Sequence, residues 1–268
     1  MIGMVPAPTR RLSADSALND SDGEDEGVIR FSIAGIPVTV RPSFWLVALL
    51  LGWGVASRTL LVAWVVVVFV SVLAHELGHA ITARRFGAGV SITLTTLGGF
   101  TRWEKPGDGM TPGRRALVAA AGSAVGIVLG LAVLGAFMAT RPWGATAASV
   151  VLMIAWVNVG WGVLNWLPIR PLDGGHLVLA LLDMVAPRRT EGIASAIFLV
   201  TSLAALAAAI YFQFYFAAIL AGFMAWAEIS RLVGPSPRPR PAPPAPPGNL
   251  FDLEPPSPTP EEGTRSGE

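Results

Sequence analysis

From Leu60 to Ala83 the chain runs for 24 residues with no ionisable side chain other than His75, Glu76 and His79. As a helix this run rises about 36 Å, enough to cross a hydrocarbon core of about 30 Å. Inserting an ionised group in mid-span costs about 2.5 to 3.5 kcal/mol, so the three polar residues must be held by partners or by water. This run fixes the class of fold: the chain assembles in a bilayer, around a polar centre.

Further apolar runs agree. Ser43 to Ser57 precedes the first, Ala116 to Ala139 and Ala147 to Leu167 follow it, and Gly192 to Leu232 is long enough for two spans joined by a tight turn near Tyr211 to Gln213. Hydrophobic residues make up 53% of the 268, against 14% charged, with a mean hydropathy of +0.58. The expected fold is an all-α polytopic membrane protein with about six transmembrane helices and a short membrane-associated β element. With the N-terminus inside, Arg58 and Arg141 are the only cations of the 19 Lys and Arg on outer segments, leaving 17 inside. Both termini are then cytoplasmic, and the expected location is the plasma membrane.

Residues 1–27 are small, polar and acidic, and are expected to be a disordered tail rather than a secretory signal. Residues 235–268 form a Pro-rich tail of extended or disordered character. Between them, 28–234 is expected to hold one membrane domain. Val28 to Val40 alternates around Gly35 and reads as a hairpin. The net charge of +1 is dispersed over many loops, which argues against a nucleic-acid partner. The chain has no cysteine, which excludes thiol catalysis, disulfides and thiolate metal sites.

The polar centre carries chemistry. Histidines four apart on a helix lie about 40° apart on one face, one turn apart in height, so His75 and His79 can reach one ion. Glu76 stands beside them as a general base for a water, the arrangement of a zinc hydrolase. Two histidines leave zinc one protein ligand short of an open catalytic site. Asp173 is the candidate, in Asn165 to His176, NWLPIRPLDGGH, at the end of the fourth run and on the same side as the histidines. Pro168 and Pro171 break the helix there, and Gly174 with Gly175 allow a sharp turn. The plainer alternative is a turn in which Asp173 caps a helix starting near His176.

HELGH together with NWLPIRPLDGG resembles the site-2 protease family of intramembrane zinc metalloproteases, in a compact branch without an inserted PDZ domain. The resemblance covers most of Val28 to Val185. It implies zinc held by His75, His79 and Asp173, Glu76 as the base, and Asn165 near the substrate or its oxyanion. His176 is assigned a supporting place in the loop and not a ligand's. Val90 to Phe100, VSITLTTLGGF, resembles the family's membrane-dipping β element, whose free edge can hold an extended substrate backbone. At Ala121 to Gly126 relatives commonly have Gly-Pro followed by Asn, and Ser123 and Gly126 stand in those places, so no role is carried over. The glycines at 122, 126 and 130 are assigned to helix packing.

The resemblance implies an endopeptidase cutting a membrane-protein substrate in or near a transmembrane segment within the lipid bilayer, in regulated proteolysis, with room for a regulatory partner. Two other classes compete: a catalytically silent relative that binds membrane segments, and a metal-handling membrane protein. The first is expected to lose Glu76 or a ligand, and the second to show polar residues in several spans.

Overall fold

A computed structural model describes residues 27–233 except 56, 97, 105–109 and 141–143. The tails expected over 1–27 and 235–268 lie outside the described residues, apart from Gly27, and so does Leu97 of the expected β element.

Strands β1 (Ile29–Ile33) and β2 (Ile36–Val40) form the expected hairpin. Its two-residue turn uses Ala34 and Gly35 with φ of 50° and 77°, the pair of positive values that suits the twist of a tight hairpin. The helices follow as α1 (Pro42–Leu51) and α2 (Arg58–Arg85). Strands β3 (Gly89–Thr95) and β4 (Gly98–Glu104) come next, then α3 (Pro112–Ala139). The chain continues through α4 (Ala145–Asn165), α5 (Asp173–Val185), α6 (Thr190–Tyr211) and α7 (Tyr215–Val233).

Four of these, α2, α3, α4 and α6, are long and apolar enough to cross a membrane among the described residues. The protein is a polytopic membrane protein, mostly helical with one small sheet. The expectation of six spans is met only in part. The first apolar run yields a helix of 10 residues, which rises about 15 Å, because the chain turns at Gly52 instead of continuing. The long last stretch divides as expected, at Phe212 to Phe214, where Gln213 takes a φ of 60°.

The two hairpins join into one sheet of order β1-β2-β3-β4 through a parallel pairing of β2 with β3, Val38 opposite Ile92 and Val40 opposite Leu94. Alternation decides the faces: Ile36, Val38, Val40, Ile92 and Leu94 are all buried and pack into one cluster with Phe44 of α1 and Val67, Val68, Leu73 and Ala80 of α2. Arg84, in the last turn of α2, donates to the carbonyl of Ala34 at 2.6 Å and fastens the hairpin turn to that end of the helix. The sheet is therefore held against the half of α2 that carries His75, Glu76 and His79.

Glycine lets the spans touch. A side chain at Gly78 would stand 2.8 Å from the carbonyl oxygen of Ala121, so α2 and α3 cross backbone to backbone there. Next, α4 widens into a π-helical turn at Trp156–Gly160. Asn158 in that turn donates to Ser71 Oγ at 2.7 Å and to its own helix at Ile154 O, and it is buried where it does so.

Candidate metal centre

His75 and His79 lie on the buried side of α2, both 8% exposed, and Asp173 opens α5. The helix begins at Asp173 itself, and the residue in the N-cap position is Leu172, so Asp173 is not the cap of a later helix. Gly174 and Gly175 do not make a positive-φ turn. They allow the first turn of α5 to lie against the carbonyls of Trp166, Leu167 and Ile169, where any side chain would overlap the backbone. This close approach brings the carboxylate to the histidines.

The two Nε2 atoms are 3.1 Å apart, and Asp173 Oδ2 is 3.1 Å from that of His75 and 3.3 Å from that of His79. A tetrahedral ion with bonds of about 2.0 Å sets its ligands about 3.3 Å apart, so this triangle has the size of one face of a zinc site. The three residues form the one such group of metal-binding side chains found among the described residues. Two imidazoles and a carboxylate are also the donor types of open zinc sites in hydrolases.

Neighbouring atoms orient each member. His79 Nδ1 is 2.7 Å from the carbonyl of Val118, so it donates there and leaves Nε2 with its lone pair facing the triangle. Ser123, fully buried on α3, donates to Asp173 Oδ2 at 3.0 Å. The position set aside as a departure from the family pattern thus touches the third member of the cluster. Gly122 is equally close: a Cβ there would overlap the His79 ring. Its four-residue spacing with Gly126 and Gly130 reads as packing, yet Gly122 also makes room for the imidazole.

Glu76 is 5% exposed and faces β4. Gly99 passes directly over it, with no space for a side chain, and Thr101 donates to Glu76 Oε2 at 2.7 Å. Nothing in the alternation of the segment marks Thr101 for this contact, although Gly98-Gly99 signals a close backbone approach. Strand β4 is an edge of the sheet, with its outer side unpaired among the described residues. Asn165 ends α4 half-buried, its side chain without a hydrogen bond among the described residues, and His176 lies on the exposed face of α5 outside the triangle.

The sequence pattern of peptidase family M50 matches residues 63–147 and 139–209, which contain every residue of this centre. The chain belongs to peptidase family M50. Rip3 of Mycobacterium tuberculosis is 37% identical over 169 residues, 56% of this chain and 42% of its own length. The Synechocystis protein sll0528 is 33% identical over 178 residues, 60% of this chain and 46% of its own. Both are named as zinc metalloproteases. The chain thus spans less than half the length of these relatives. The solved site-2 protease from Methanocaldococcus jannaschii shares the fold, with a TM-score of 0.52 at 23% identity, covering 76% of this chain and 94% of that one.

Proposed function

We propose that this M50 chain is an intramembrane zinc endopeptidase that hydrolyses a peptide bond in or near a transmembrane segment of a membrane-protein substrate, in regulated proteolysis. Residues 28–234 form its protease domain. The observation that carries this reading is the triangle of His75, His79 and Asp173 with a buried Glu76 beside it under an edge strand.

Zinc, bound by His75, His79 and Asp173, supplies Lewis acidity towards the scissile carbonyl and towards a water. The protein's own groups do the rest. Glu76 takes the proton of the attacking water and returns it to the leaving nitrogen. Thr101 holds one oxygen of Glu76, so the other is free to face that water. The open edge of β4 pairs with an extended stretch of substrate by main-chain hydrogen bonds and draws it over Glu76. Asn165 is assigned to the substrate carbonyl. The arginine distribution supports placing both termini in the cytoplasm and the protein in the plasma membrane, with the cut near the cytosolic side.

The test is co-expression with membrane-anchored regulators from the same genome, comparing wild type with Glu76→Gln. A cleaved fragment is expected with wild type and none with the variant, while binding of the uncut segment persists. Equal cleavage by both removes Glu76 as the base. Failure of a zinc-loaded wild type on every segment tried favours the silent binder.

A further inference from the structure

Arg170 lies outside the metal triangle, three residues before Asp173, and is gripped from two helices. Its Nη2 donates to Glu191 of α6 at 2.6 Å, and its Nε forms an ion pair, without hydrogen-bond geometry, with Oε1 of Glu228 on α7 at 3.2 Å. The guanidinium also lies 5.1 Å above the ring of Phe198, a fully buried residue of α6. Glu228 is 2% exposed, and its second oxygen has no hydrogen-bond partner among the described residues. Arg231 reaches it only at 3.9 Å.

A buried ion pair of this kind contributes little stability relative to an apolar pair of similar size, but removing one partner leaves a charge without compensation. Its value is therefore geometric: a guanidinium held by two carboxylates and an aromatic face has little freedom. The restraint passes along a short path. Ile169 is buried, the N–H of Leu172 donates to its carbonyl at 2.8 Å, and the next residue is Asp173. By contrast, α7 packs on α6, and α6 reaches the rest of the fold mainly through α5.

We propose that Arg170 is a positioning residue through which the α6–α7 pair sets how firmly Asp173 is presented to the two histidines. The inference rests on the reading of Asp173 as a zinc ligand. Arg170 touches neither substrate nor metal. It acts by fixing the turn that carries the ligand.

The experiment follows zinc loss from the full chain, purified in detergent and zinc-loaded, to a chromogenic chelator, with thermal unfolding recorded alongside. Arg170→Gln and Glu228→Gln are each expected to release zinc about tenfold faster or more, the usual size of an effect on groups that orient a ligand. Their double variant should be little worse than either single one. Glu191→Gln, whose carboxylate is largely in solvent, should stay within about twofold of wild type. Exchanging the pair, Arg170→Glu with Glu228→Arg in the Glu191→Gln background, should slow the release again. A merely structural role would lower the unfolding temperature and leave the rate of zinc loss from the folded chain unchanged. Should Arg170→Gln fail to fold, Glu228→Gln, which keeps the side-chain shape, decides. Asp173→Ala separates the two failures: if it keeps zinc, the ligand assignment falls and the inference with it. If Asp173→Ala loses zinc while Glu228→Gln and Arg170→Gln retain it like wild type, the inference alone is overturned.

Discussion

Thr101 donates its hydroxyl hydrogen to Glu76 Oε2 at 2.7 Å, linking an edge strand to the one buried carboxylate of the second helix. The same hydroxyl lies 3.1 Å from the backbone carbonyl of Glu76, so it is confined between two acceptors of one residue. Orientation of the Glu76 carboxylate and placement of the strand are consequently a single structural fact. Thr101→Val keeps the shape and removes the donor. Turnover is expected to fall about 10- to 100-fold with substrate binding nearly unchanged. Steady-state kinetics on a reconstituted substrate check this, and a rise in KM at constant kcat would contradict it.

The metal content should be about one zinc per chain, and replacing His75, His79 or Asp173 by Ala should empty the site. Ser123→Ala removes the hydroxyl on Asp173, and Gly122→Ala pushes a methyl into the His79 ring. Each should lower zinc affinity about 10- to 100-fold. Metal analysis after dialysis decides. Full occupancy in Gly122→Ala would mean that α3 can retreat from α2 without disturbing the imidazole.

The topology is open to single-cysteine labelling, since the chain has no cysteine of its own. Gly113, Gly144 and Gly192 have open space where a Cβ would stand. Cysteines at 113 and 192 should react with an impermeant reagent only from the cytosolic side, and one at 144 only from outside. Reaction of 113 and 144 from the same side would break the proposed orientation.

A pH dependence resides at the junction of α3 and α5. Asp183 lies beside the Thr190 hydroxyl and accepts a hydrogen bond from Arg115 at 2.7 Å, and these neighbours hold its carboxyl below the usual carboxylate range. A lowered folded-state pKa stabilises the protein above the unfolded value of about 3.9, and that contribution is lost as pH falls through the lower folded value. Melting temperature followed from about pH 6 to about pH 3 should fall less steeply in Asp183→Asn than in wild type. Parallel profiles would remove Asp183 from the account.

Substrate choice should follow helix stability, because peptide bonds in a helix are shielded by their own hydrogen bonds. Gly or Pro near the cut should speed cleavage and an added run of Leu should slow it. A graded substrate series in one membrane composition measures both. Insensitivity to all of these changes would argue against strand addition at β4.

The meeting of His75, His79 and Asp173 is legible in the sequence because it is confined to rare residue types. His75, Glu76 and His79 interrupt a run that otherwise has nothing to ionise, and Asp173 sits in a helix-breaking segment at the same end of the membrane. Thr101 and Ser123 are not legible, since a hydroxyl in a strand or a helix obeys no pattern that distinguishes a held ligand from an ordinary surface contact. Gly122 reads as a packing residue from its spacing, and only the crossing of α2 with α3 shows that it faces a ring. The parallel pairing of β2 with β3 is equally hidden: local alternation predicts two hairpins, and nothing local joins residues 38 and 92. In the same way, an apolar run of 15 residues does not reveal that Gly52 ends its helix after Leu51.

That parallel pairing dictates an order of assembly. Val38 and Ile92 are separated by both α1 and α2, so the ladder between their strands closes only after the intervening helices have found their places. Closing so long a loop is entropically slow, and the contacts that reward it arrive last. Strand β4, the roof over Glu76, is anchored to α2 through Thr101 and Gly99, and this step ties it in addition to the N-terminal hairpin. A chain in which this pairing has not formed has its two hairpins as separate pieces, so the single four-stranded sheet beside Glu76 is a product of tertiary assembly and not of local folding.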